Sequence, residues 1–200
     1  MEGINGLDKW ANKFGLADPT GIDLPGEVAG LVPSPEWKEK VKGEQWFLGN
    51  TYHMSIGQGD IALTPIALNQ AIASIANGGL FCQPSILASQ DSKSDEKCRE
   101  IGIEKENIDL VKAGMSGACS TGGTGFTFFD FEQTNPRHIK VACKTGTAET
   151  GVNDKSHAWF TVFAPINSPE IVATVLVEEG GEGSSVAGPI ARAIFDYYFK

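Results

Sequence analysis

Lys144-Thr145-Gly146-Thr147 puts a fixed cation, two hydroxyls and a residue without a side chain into four consecutive positions. The stretch closes a short apolar run, Ile139-Lys140-Val141-Ala142-Cys143, that alternates as a strand does. Neighbouring side chains of a strand leave opposite faces, so Lys144 and Thr145 serve one ligand only if it lies along the strand's edge. At Gly146 a ligand can lie against the backbone. A cation, hydroxyls and an accessible edge suit an acidic, peptide-like ligand that adds itself as an extra strand. A phosphate-binding loop needs Gly-x-x-x-x-Gly-Lys-Ser/Thr. Here Cys143 precedes Lys144 and His138 holds the earlier glycine position, which excludes that chemistry. Three letters alone do not separate a ligand-binding strand from an ordinary strand end with a solvated lysine.

The elements that must hold this stretch are read from punctuation and periodicity. Asn5 or Gly6 starts a helix carrying Leu7, Trp10, Ala11 and Phe14, and Gly15 stops it. Residues 17–35 are rich in Pro, Gly and Asp and predict a long ordered loop. A short helix over Glu36 to Lys42 follows, with Trp37, Trp46 and Phe47 as anchors. Two glycines around Gln58 predict a tight turn, and Thr64 caps a helix with Pro65 at its first position, running Ile66 to Asn77. That helix is apolar nearly all round and is expected to be buried. Leu80-Phe81-Cys82 and Ser85-Ile86-Leu87 predict short strands. Asn107 is read as the cap of a helix with Ile108, Val111 and Met115 on one face. Ser120 to Gly125 is read as a glycine-rich loop, since no lysine accompanies it for phosphate binding. Phe126, Phe128, Phe129 and Phe131 cluster beside it.

After the Lys144 strand and a loop at 148–156, Ala158 to Ala164 and Glu170 to Val177 read as two strands apolar on both faces, hence covered on each side. Short connections predict antiparallel pairing. A final helix with Pro189 in its first turn is marked by Val186, Ile190, Ala193, Ile194 and Tyr197. The sum is an α+β arrangement, an antiparallel sheet with helices on both faces.

Two hundred residues, 41% hydrophobic and 20% charged, fit one globular domain. A net charge of -9 without a basic stripe argues against nucleic acid as a partner. No apolar run reaches membrane-spanning length. The cysteines at 82, 98, 119 and 143 are too widely spaced for a zinc site, and their pairing is open; Cys143 reads as a buried small hydrophobe. Ser94-Asp95-Glu96-Lys97 matches Ser-x-x-Lys by letters, but a nucleophilic serine needs a lysine held close and desolvated. With Ser92 and Lys93 before it and no apolar neighbour, this run reads as part of a solvated surface stretch over 88–106.

The order of these pieces carries more than any one of them. Gly21-Ile22-Asp23-Leu24-Pro25-Gly26-Glu27, Ser55-Ile56-Gly57-Gln58-Gly59-Asp60 with Thr64-Pro65, Asn77-Gly78-Gly79, Gly114-Met115, Lys144-Thr145-Gly146-Thr147-Ala148-Glu149 and His157-Ala158-Trp159-Phe160 with Ala164-Pro165 follow one another along the chain. In this order the chain resembles the C-terminal part of a class B penicillin-binding protein of the elongation type. The resemblance implies the penicillin-binding protein/serine β-lactamase-like fold and a D,D-transpeptidase that cross-links peptidoglycan stem peptides through a serine ester and is acylated by β-lactams. No cofactor and no metal are expected. Lys144 would hold the proton-transfer network and the ligand's carboxylate, and Thr145 and Thr147 would hydrogen-bond that carboxylate. The backbone N–H of Thr147 would be one of two oxyanion donors. His157 and Glu149 lie in matching stretches and read as structural.

The family's Ser-x-x-Lys and Ser-x-Asn motifs lie upstream of the position matching Leu7, so residues 1–200 are expected to carry neither. The expectation is therefore a C-terminal part of one transpeptidase domain, inactive alone, partnered by the domain's N-terminal part, extracytoplasmic, and anchored by a segment outside these residues. The alternative is a non-catalytic peptide-binding or scaffolding module built on the same strand.

Overall fold

The computed structural model describes residues 3–87, 97–151 and 155–200. It forms two units, Met1–Ala71 with Cys82–Arg99, and Ile72–Phe81 with Glu100–Lys200.

In the first unit, α1 (Gly3–Lys13) begins two residues before the expected start, and its chain turns at Gly15, φ +67°. The long loop that follows is ordered by two carboxylates. Glu27 accepts from the Thr20 amide (2.7 Å), the Thr20 hydroxyl (2.5 Å) and the Gly21 amide (2.9 Å). Asp23 accepts from the Ser85 hydroxyl (2.6 Å) and the Ile86 amide (2.7 Å), and these bonds hold its carboxyl below the usual carboxylate range. Ser85 to Leu87 therefore serve as donors to a loop and form no strand. Helix α2 (Pro35–Lys42) is capped by Ser34, whose hydroxyl accepts from the Trp37 amide at 3.1 Å. Helix α3 (Leu48–Ser55) has no counterpart among the expected elements; Leu48 and Tyr52 are exposed on it and Met54 is its one buried residue. Phe47 is no anchor; it is 63% exposed beside the Lys38 ammonium, while Trp37 and Trp46 are half-buried. Helix α4 (Pro65–Ala76) has the expected cap, the Thr64 hydroxyl accepting from the Ala67 amide at 3.3 Å. Its fully buried positions are small or polar (Ala67, Gln70, Ala71, Ser74, Ala76), and Ile72 and Ile75 are half-buried. The strand partner of β1 (Leu80–Cys82) is β2 (Cys98–Glu100), and a disulfide joins Cys82 to Cys98. Ile101, in the stretch expected to be solvated, is 3% exposed. Ser94 lies outside the described residues.

The second unit carries the three-stranded antiparallel sheet β3 (Ala142–Glu149), β4 (Ser156–Ala164) and β5 (Ile171–Val177), with β3 and β5 at its edges. Lys144 pairs across with Thr161 and Gly146 with Trp159. Lys144-Thr145-Gly146-Thr147 thus occupies the middle of a strand and does not end one. The strand begins at Ala142 and runs to Glu149, because β4 supplies a partner through Ser156. Residues placed in a loop by sequence, 148, 149 and 156, are strand.

One face of this sheet presents Cys143, Ala158, Phe160, Val162, Ala173 and Val175 to a core of Phe128, Phe131, Phe195 and Phe199. Their rings meet at centroid distances of 5.5 to 6.4 Å. The other face presents Ala142, Phe163 and Val172 to Ala76, Ile72 and Ile75 of α4 and to Met115 of α5 (Lys105–Ala118). Helix α5 starts ahead of Asn107, with Ile108 and Met115 inward and Val111 46% exposed. Helices thus lie on both faces, although β5, an edge strand, is only half-buried.

Phe126–Phe128 forms a single 3-10 turn, followed by α6 (Phe131–Thr134). A wide helical turn at Gly183–Ala187 leads into α7 (Gly188–Tyr198). The stripe that sequence assigned to the core of α7 faces outward: Ile190, Ile194 and Tyr197 are 47%, 39% and 75% exposed. Gly188, Ala191 and Phe195 face the sheet, where two small residues let the helix approach and one ring fills the core. Arg192 staples α7 in place, donating to the Thr127 carbonyl (2.8 Å), Asp130 (2.6 Å) and the Thr134 hydroxyl (2.9 Å).

Candidate active site

The candidate stretch lies on an edge strand. Among the described residues, β3 has β4 as its one partner strand, which leaves its other side open to an added chain. Alternation sends Lys144 and Gly146 to one face and Thr145 and Thr147 to the other. Lys144 and Thr147 are exposed; Thr145 and Gly146 are half-buried. The Lys144 ammonium folds back onto the Thr145 carbonyl at 2.6 Å. A side chain at Gly146 would crowd the Trp159 side chain, whose Cβ lies 3.1 Å from the position a Cβ would take, so part of the space beside this strand is filled by a neighbour.

The other face of the stretch is tied to a loop that sequence reasoning left out of the site. The Thr145 hydroxyl donates to the Thr124 hydroxyl at 3.1 Å. Ser184 donates its hydroxyl to the Thr124 carbonyl at 2.6 Å. A disulfide joins Cys119, just past α5, to Cys143, the residue before Lys144. Cys143 is fully buried, as expected of a small hydrophobe, yet it is a cross-link. Backbone comes close here in two places. A Cβ at Gly125 would stand 2.5 Å from the Cys143 sulfur, and one at Gly183 would stand 2.1 Å from the Trp159 carbonyl and 2.5 Å from that of Gly146. Only glycine admits such approach. The signals were present as a cysteine on each side of the glycine loop and a threonine inside it, but their meeting spans 24 and 21 residues and has no local signature.

His157 accepts the Glu179 amide proton on Nδ1 at 3.0 Å, which occupies it with turn geometry. Lys97 of the Ser-x-x-Lys letters uses its carbonyl to accept from the Gln83 amide at 3.1 Å. A cavity of about 180 Å³ opens beside Cys119, Ser120, Phe128, Glu132 and Lys140, and none of Lys144 to Thr147 lines it. The candidate site is therefore a strand edge. Among the described residues no cluster of three His, Cys, Asp or Glu is placed to hold a metal ion, and no helix is long and apolar enough to cross a membrane.

Lys-Thr-Gly-Thr thus lies on an edge strand of a sheet with helices on both faces, and a family model covers nearly the whole chain. The model of the penicillin-binding protein transpeptidase domain matches residues 3–196. The chain belongs to the penicillin-binding protein transpeptidase family. It is 33% identical to the peptidoglycan D,D-transpeptidase MrdA of Salmonella typhimurium, over 100% of this chain and 35% of the relative. Penicillin-binding protein PBP2 of Helicobacter pylori, solved as a complex with MreC, superposes with a TM-score of 0.82 at 31% identity, covering 98% of this chain and 36% of that one. PBP2 of Pseudomonas aeruginosa, solved in complex with WCK 5153, gives a TM-score of 0.80 at 32% identity over 98% of this chain and 44% of that one. The fold is the penicillin-binding transpeptidase fold, and the likeness is to the elongation type of class B. The chain spans about a third of the length of the curated relatives it matches.

Proposed function

We propose that this chain supplies the Lys-Thr-Gly wall of a peptidoglycan D,D-transpeptidase site, on the outer side of the cytoplasmic membrane, whose nucleophilic serine lies outside residues 1–200. The observation that carries this reading is the open edge of β3 at Lys144-Thr145-Gly146-Thr147. A stem peptide adds along that edge as an extra strand, with its carboxylate at Lys144 and the Thr145 and Thr147 hydroxyls. Lys144 supplies a compact charge that both attracts the carboxylate and supports proton transfer at the serine. As the serine oxygen attacks, the substrate carbonyl becomes an oxyanion, and the Thr147 amide is one of its donors; a preorganised donor of this kind is worth about 10²–10³ in rate. A β-lactam carries a carboxylate and a strained amide and follows the same path, stopping at the acyl-enzyme.

The test is labelling of the full-length protein by a fluorescent penicillin, with and without excess stem peptide. Labelling on one serine, slowed by the peptide and by Lys144→Ala, supports the reading. A full-length protein that folds and takes up no label overturns it.

A further inference from the structure

We propose that Thr124 is a positioning residue for the carboxylate-binding hydroxyl of Thr145. The inference rests on the reading of β3 as the Lys-Thr-Gly wall and adds to it a residue from a different element.

The Thr145 and Thr124 hydroxyl oxygens lie 3.1 Å apart. A hydroxyl has one proton and can also accept, so two facing hydroxyls must share one bond in one direction or the other. With no ligand, Thr145 donates to Thr124. To donate to a carboxylate, Thr145 must turn its proton outward, and its oxygen then needs a donor behind it. Thr124 is placed to be that donor. The pair thus forms a relay in which Thr124 gives to Thr145 and Thr145 gives to the carboxylate. Hydrogen bonds in such a chain polarise and strengthen one another.

A relay works only if its rear member is held, and Thr124 is held on three sides. Ser184 donates to its carbonyl at 2.6 Å. The next amide, Gly125, donates to the Ala118 carbonyl at 2.7 Å, which closes the loop. The Cys119–Cys143 disulfide lies against Gly125, with the Cys143 and Cys119 sulfurs 2.5 and 3.4 Å from the position of a Cβ there. Because Cys143 directly precedes Lys144 and Cys119 directly precedes the loop, one cross-link ties loop and strand together. Thr124 itself is exposed, so its hydroxyl contributes little to folding and its effect is read on ligands.

The experiment measures acylation of the full-length protein by a penicillin, separating the affinity of the first complex from the acylation rate. Thr124→Val is expected to weaken that affinity about five- to tenfold, the size of one ordinary net hydrogen bond. Its acylation rate constant should stay within about twofold and its melting temperature near wild type. Thr124→Ser restores the hydroxyl and the affinity. With the methyl ester of the same penicillin, which lacks the charge, Thr124→Val and wild type bind alike. If Thr124→Val melts well below wild type, Ser184→Ala, which leaves Thr124 in place, carries the test with a smaller loss confined to the carboxylate ligand. Equal affinities of Thr124→Val and wild type for the carboxylate, an equal loss on the ester, or no rescue by serine overturns the proposal while leaving the transpeptidase reading intact. A wild type that takes up no penicillin overturns both.

Discussion

The two faces of β3 are built for different tasks. On the face of Cys143 and Thr145 the strand is fastened by a disulfide, by a hydroxyl pair to Thr124 and by the backbone of the Gly183–Ala187 turn, above a core of phenylalanine rings. On the opposite face packing stops early. Ala142 is fully buried against Ala76 and Met115, and two residues on, Lys144 is exposed with its ammonium resting on its own strand. One face fixes the backbone and holds the Thr145 hydroxyl, while the other presents an exposed cation at a defined place.

The strongest way to break the contrast is to empty the fastened face. Phe160, 1% exposed and stacked on Phe128 at 5.6 Å, fills the centre of that core. Phe160→Ala is expected to cost about 3–5 kcal/mol in denaturant unfolding, with loss of any ligand binding at β3. Removing the Cys119–Cys143 bond by double serine substitution opens a loop of sequence separation 24 and should cost about 3 kcal/mol. If stability is unchanged when both sulfurs are replaced, the covalent fastening is not part of the account.

A smaller effect comes from the clamp on α7. The Arg192 guanidinium at 2.6 Å holds the Asp130 carboxyl below its usual range. A lowered folded pKa gives stability that is present above the unfolded value near 4 and lost as pH falls through the lower folded value. Asp130 is exposed, so screening limits the contribution to less than about 1 kcal/mol. Asp130→Asn should therefore lower the melting temperature by a degree or two at pH 7, and the difference should shrink as pH falls below about 4. The smallest effect on folding belongs to the open face. Lys144→Ala should change stability by no more than about 0.5 kcal/mol, even though it abolishes the cation at the site. A large loss there would mean that Lys144 is a packing residue, and the contrast between the faces would fail.

Much of this was legible in the sequence, and the parts that were not share a cause. β4 and β5 were visible as apolar runs bounded by Pro165 and Pro169, and the cap of α4 was visible in Thr64-Pro65, because each signal is local. The family was legible from motif order, which needs no geometry. Helix α3 was not, because it is short and buries only Met54, which gives no core stripe. In α7 apolar residues lie all round, so periodicity alone chose Ile190 and Ile194 over Ala191 and Phe195. Within the site, Lys144 to Thr147 were legible as a motif. Their place in mid-strand was not, since it is pairing with β4 that extends β3 to Glu149. Thr124 and the Cys119–Cys143 cross-link depend on contacts far apart in sequence, which residue spacing does not encode.

The proposal is that residues 1–200 hold the ligand wall of a transpeptidase site and that the nucleophile lies outside them. Intact mass after incubation with excess penicillin tests it most directly, on the 200-residue chain and on the full-length protein side by side. No added mass is expected on the chain alone and one penicillin on the full-length form, slowed by Lys144→Ala. A stoichiometric adduct on the chain alone, or a folded full-length protein that gains no mass, would contradict it.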